Sequence, residues 1–165
     1  MAALSSSARL LSSCLLALVL GAGCTRANLQ NEGRYEFTAE EVMRDDCGLV
    51  PTPESLWDGE LTINGDVVHM DSDWRGLRLI GFVLPGGFDD DDAFVVDGSE
   101  SKAAISLQGR ECLVDQLSMH LEGTTQCAKR FDGVLSVRLE PRVEQPGCAC
   151  QLWVRYRAVQ NSGCE

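Results

Sequence analysis

The chain holds 165 residues, 44% hydrophobic and 24% charged, which is room for one globular domain plus a targeting segment and a short linker. Its 25 acidic residues face 14 basic ones for a net charge of −11, and the absence of a basic footprint able to displace counterions argues against a nucleic-acid partner. No long low-complexity tract is present, so the composition also argues against a disordered or fibrous protein.

Residues 1–23 read as an export signal. One Arg9 precedes an apolar run from Leu10 to Leu20, and the small residues Gly21, Ala22 and Gly23 lead to Cys24. The run is about half of the roughly 20 apolar residues that a bilayer-spanning helix needs. Gly-Ala-Gly-Cys resembles the lipobox of bacterial lipoproteins, with Leu20 one place further from the cysteine than the family's usual Leu. That resemblance implies lipidation at Cys24. Leu11-Ser12-Ser13-Cys14 also fits the pattern, but almost no hydrophobic run precedes it. Residues 24–33 are then a lipidated, polar tether and 34–165 a single β-domain.

The first stretch of that domain, Arg34 to Arg44, can be a strand through Tyr35 and Phe37 or a short helix capped by Thr38. The strand is preferred because the apolar residues do not recur at helical spacing. Glu60 to Met70 is a hairpin about Asn64-Gly65, whose two positive φ angles suit a type I′ turn. This register sets Leu61 opposite Val68 and Glu60 opposite His69. Further strands are expected at Trp74 to Leu84, Ala93 to Asp97, Lys102 to Leu107 and Glu111 to Leu121, with turns at Pro85-Gly86-Gly87, Asp97-Gly98-Ser99 and Glu122-Gly123.

Period-two alternation is clearest near the C-terminus. Phe131, Gly133, Leu135, Val137 and Leu139 define one face of a strand, and Cys148, Cys150, Leu152, Val154, Tyr156 and Ala158 define one face of the last. A loop from Glu140 to Gly147 would place Leu139 opposite Cys148 and Phe131 opposite Tyr156. About eight or nine short strands with brief turns predict an all-β fold. A disulfide-stapled antiparallel up-and-down barrel is the first choice and a β-sandwich the alternative. The large inward residues suffice to fill a small barrel, so no large ligand cavity is implied.

With Cys14 removed and Cys24 lipidated, Cys47, Cys112, Cys127, Cys148, Cys150 and Cys164 remain. In an exported chain these predict three disulfides in preference to a zinc site, since no C-x-x-C occurs and the two histidines stand alone. Alternating strand directions predict Cys127 with Cys164, and leave Cys47 and Cys112 to be shared between Cys148 and Cys150.

The pattern Trp57-x-Gly-x-Leu-x-Ile-Asn-Gly-Asp, with Phe131-x-Gly-x-Leu-x-Val and Cys148-Ala-Cys150, resembles small lipoproteins of myxobacterial type over most of the mature chain. More broadly, Trp57 and the strand count are similar to lipocalin-like or META-like meander barrels. These resemblances imply a fold and disulfides, and no activity.

Few residues suggest chemistry. Asp89 to Asp92 with Asp97 offers oxygen ligands for calcium but lacks the spacing of an EF-hand loop, so an exposed acidic loop is preferred. His69 and His120 fall on outward faces without a partner that would make either a general base. No G-x-S-x-G elbow, Ser-x-x-Lys or phosphate loop is present. Trp153, Arg155 and Arg157 share an outward face and form the best contact candidate. The expectation is a non-enzymatic protein of the bacterial cell envelope, with the outer membrane favoured. It is expected to be anchored by lipid, to need neither cofactor nor metal, and to serve as a protein-binding or structural module with an envelope protein as the candidate partner. A lipocalin-like carrier and an inhibitor of a basic hydrolase are the alternatives.

Overall fold

The computed structural model describes residues 30–84, 93–161, 163 and 164. Cys24, the expected signal, the expected turn at Pro85-Gly86-Gly87 and the Asp89–Asp92 run lie outside them. Eight strands follow in chain order: β1 (Gly33–Asp45), β2 (Gly59–Asn64), β3 (Val67–Ser72), β4 (Arg78–Leu84), β5 (Ala93–Leu107), β6 (Arg110–Cys127), β7 (Arg130–Pro141) and β8 (Cys150–Val159). Each pairs antiparallel with the next, and β8 returns to β1, so the sheet closes as an up-and-down barrel and not as a sandwich.

Alternation dictates the core. Along β8 every second residue from Cys150 to Ala158 is buried, while Trp153, Arg155 and Arg157 face out. Phe131 is fully buried at the centre of a ring cluster with Tyr35, Phe37, Phe94 and Tyr156. Glu36, Thr38, Glu60, Thr62 and Arg78 lie on the exposed side. Apolar inside and largely charged outside is the reverse of a membrane-spanning barrel.

The structure corrects several expected boundaries. Asp97-Gly98-Ser99 and Glu122-Gly123 are not turns but lie inside the continuous strands β5 and β6. Their glycines serve close approach: a Cβ at Gly98 would come within 2.8 Å of the Arg78 carbonyl oxygen, and one at Gly123 within 2.4 Å of the Phe94 ring. In β5 the inward positions change from even to odd numbers between Val96 and Ala103, and in β6 between Val114 and Leu117. Lys102, at φ 58°, marks the flip in β5. Because both strands flip at one level, their mutual register survives.

The hairpin loop is Gly65-Asp66, so Leu61 faces Met70 and His69 faces Thr62; the expected Glu60–His69 pair does not form. Only Gly65 has positive φ there (63°), the pattern of a type II′ turn. β4 begins at Arg78, because Arg75 and Gly76, at φ 61° and 65°, hold Trp74 in a turn. A 3₁₀ turn at Pro146–Cys148 removes Cys148 from the last strand, so Leu139 faces Cys150 and Phe131 faces Ala158. Both register errors are shifts by two, which leave every core residue on its expected face.

The six cysteines pair as Cys47–Cys150, Cys112–Cys148 and Cys127–Cys164, with Cα separations of 5.2, 5.6 and 6.0 Å. Alternating directions admit these pairs, although Cys127 ends β6 and does not begin the next strand. The first two bridges lie at the far end of the barrel. There the β7–β8 connection is tied through Cys148 to the start of β6, and the first residue of β8, Cys150, to the segment after β1. The third fastens the C-terminus beside the β6–β7 turn, at the end where β1 begins.

Residues 30–33, expected as the end of a polar tether, pack against the barrel. Gln30 is buried, its Nε2 donating to Ala128 O at 3.1 Å, and the Asn31 N–H donates to the same carbonyl at 2.7 Å. Tyr35, inside the barrel, donates its hydroxyl to Asn31 O at 2.8 Å. Glu32 accepts from the Ile63 N–H at 2.7 Å. The folded unit therefore includes residues 30–33, which lie across the β1 end of the barrel.

Candidate binding surface

Among the described residues the barrel interior is closely filled by large apolar side chains. The gap lined by Phe37, Trp57, Met70, Leu79, Met119, Leu121 and Leu135 has a volume of about 10 Å³, at most one water. Beside it the half-buried Trp57 and Trp74 stack, ring centroids 4.3 Å apart and planes 12° apart. The sequence reading placed Trp74 in a strand and so missed this pair. At the disulfide end a groove of about 320 Å³ runs past Asp46, Gln108 and Arg110, and Arg110 is already donating to Gly147 O at 2.7 Å.

The barrel brings Trp153, Arg155 and Arg157 onto one outer face of β8, as the alternation requires. Trp153 is 55% exposed. Its strand neighbours are Ser136 on β7 and Arg44 on β1, and bulges in β1 expose Val42 and Met43 nearby. The arginines are not free cations. Arg155 lies 3.7 Å from Glu41, and Arg157 pairs with Glu40 and reaches Asp132 at 3.7 Å. Exposed ion pairs of this kind contribute little to stability, and the indole is left as the exposed apolar centre of the candidate face.

The two histidines stand in different surroundings. His69 faces Thr62 on one side and Ile80 on the other. His120 is a clasp between strands: Nδ1 meets Asp97 at 2.7 Å across the β5–β6 pair, and Nε2 meets Glu122 at 3.1 Å. Both ring nitrogens are thus occupied, and Asp97 serves the histidine. Among the described residues no cluster of His, Cys, Asp and Glu is arranged to hold a metal ion.

Partial burial lowers the His120 pKa, but the hydrogen bonds and charges of Asp97 and Glu122 outweigh it, and the net shift is upward from 6.5. A folded-state value above the unfolded one means that the clasp contributes fully below the unfolded pKa and that its contribution is lost as pH rises through the folded pKa. An NMR titration is expected to place the His120 midpoint above 6.5, with Asp97→Asn moving it down. A midpoint unmoved by that change would contradict the clasp.

A second outer face was not recognised in the sequence. On β4, Ile80, Phe82 and Leu84 are 49%, 61% and 45% exposed, while the alternate residues Leu79 and Gly81 are buried and Val83 is half-buried. Val67 and Val95 flank Phe82 on the adjoining strands. The available signal was a strand apolar on both faces within a barrel whose other outer positions are mostly polar. Comparison with protein-family models, with curated proteins and with solved structures finds no match for this chain.

Proposed function

We propose that this chain is a lipid-anchored protein of the bacterial cell envelope, a non-enzymatic module that binds a protein partner through the outside of a filled barrel. The observation that supports the reading is the interior: among the described residues, a gap of about 10 Å³ between large apolar side chains favours recognition at the surface over an enclosed ligand. That volume also disfavours the lipocalin-like carrier. Three disulfides suit an oxidising, extracytoplasmic compartment. The anchor at Cys24 rests on the signal and lipobox pattern. Removing residues 1–23, which carry Arg9 and no acid, takes the charge from −11 to −12, a field that attracts basic proteins and repels polyanions. An inhibitor of a basic hydrolase would use the same field.

The test has two arms. Cys24→Ala is expected to release the protein from membranes or stall its processing; normal cleavage with full membrane retention would refute the anchor. Affinity capture from an envelope extract is expected to recover a basic protein with the wild type and to lose most of it with Trp153→Ala. Equal recovery by both would remove Trp153 from the contact.

A further inference from the structure

The apolar stripe on β4 lies on the outside of the barrel, away from its core. Ile80, Phe82 and Leu84 point outward in succession, spanning roughly 13 Å along the strand, and the half-buried Val67 and Val95 widen the middle of the stripe. An exposed patch of this kind marks a contact surface. Three side chains with their flanks fall well short of the roughly 20–30 residues a side of a stable protein–protein interface. A closed barrel also offers no strand edge to a second copy. The occupant must therefore be something brought close by other means.

The position of the N-terminal segment supplies that means. β1 begins and β4 finishes at the same end of the barrel, so Leu84 lies at the end where Gln30 and Asn31 are bound to Ala128. Six residue steps separate Gln30 from Cys24, and such a segment spans at most about 22 Å by any path. If Cys24 carries lipid, this end of the barrel stays within that distance of the bilayer, at an effective concentration where weak contacts fill.

We propose that the Ile80–Phe82–Leu84 stripe rests on the membrane that holds Cys24, at the boundary between headgroups and acyl chains, and so sets the orientation of the barrel. The inference rests on the lipid-anchor reading. Charge selects the surface: Asp66 lies in the adjacent β2–β3 turn and Asp97 faces Ile80 from β5, while the next outward residue of β4, Arg78, is already paired with Asp71, so among the described residues no unpaired cation beside the stripe on β4 favours an anionic bilayer over a zwitterionic one. In a ring of eight strands β4 lies opposite β8. Seating β4 on the membrane therefore turns Trp153 into solvent, where a protein partner can reach it.

The test uses mature protein isolated from membranes and placed in phosphatidylcholine nanodiscs containing nitroxide-labelled lipid, with the side-chain methyl signals recorded. Ile80, Leu84 and Val95 are expected to lose their signals, while Val134 and Val143, on β7 and in the β7–β8 connection, keep theirs. Phe82→Ser, at an exposed position, is expected to restore the lost signals while the protein stays in the disc. Equal loss at all exposed methyls, loss centred on the Trp153 side, or protection of the stripe in lipid-free protein by a second copy would each overturn the proposal. The mass of the N-terminal peptide reports separately whether Cys24 is acylated. If it is not, the anchor reading fails, and the same measurement on protein coupled through the Cys24 thiol to a maleimide lipid still decides the stripe.

Discussion

Replacing Cys47 and Cys150 together by alanine is expected to lower the stability of the barrel by about 4–5 kcal/mol, the chain-entropy value for a closed loop of roughly 100 residues. The bridge joins positions 103 residues apart, against 36 for Cys112–Cys148, whose loss is expected to cost nearer 3–4 kcal/mol. Location reinforces the ordering. Cys47 follows β1 and Cys150 opens β8, so the bridge secures the seam that closes the ring. Double replacement avoids a free thiol. Urea unfolding of each variant, compared at a common slope, measures the difference. A loss under about 1 kcal/mol for the Cys47/Cys150 pair would show that the seam holds without it.

Phe131→Ala is expected to cost about 3–5 kcal/mol. The ring is fully buried, with the Tyr35, Phe94, Phe37 and Tyr156 rings centred 4.9, 5.1, 5.8 and 6.0 Å from it. Those neighbours come from β1, β5 and β8, all fixed by ring closure. The site therefore collapses little, and the upper part of the range applies. Phe131→Leu retains most of the volume and is expected to recover more than half of the loss in the same urea measurement. Equal loss in both variants would mean that ring geometry matters more than filled space.

Tyr156 stands against the same cluster, its hydroxyl donating to Glu122 O at 2.9 Å. Burial pushes its pKa well above the ordinary tyrosine value, and the charges of Asp132 and Glu122 add to the shift. The phenol therefore stays neutral, and its hydrogen bond joins β8 to β6 across β7.

Strict alternation made β7 and β8 legible in the sequence, and strand direction made the cysteine pairing legible up to the choice between Cys148 and Cys150. Glycine was ambiguous. Gly98 and Gly123 look like turn residues, yet each gives space to a neighbour, Arg78 O or the Phe94 ring, and such an approach becomes visible only once the strands are paired. Turn positions were uncertain by one residue, which shifted two registers by two and moved His69 away from Glu60. Gln30 reads as a polar tether residue because its partner, the carbonyl of Ala128, is remote in sequence. The outer face at Trp153 was legible from alternation; the stripe on β4 was not, because apolar residues on both faces of a strand are read first as core.

The central claim is that the barrel is filled and acts from its surface, and native mass spectrometry of protein purified from its own cells tests it most directly. The account predicts a mass equal to that of the mature chain with three intact disulfides and its acyl modification, with no further small molecule retained. A stoichiometric lipid or metabolite that survives desalting and leaves on unfolding would contradict it.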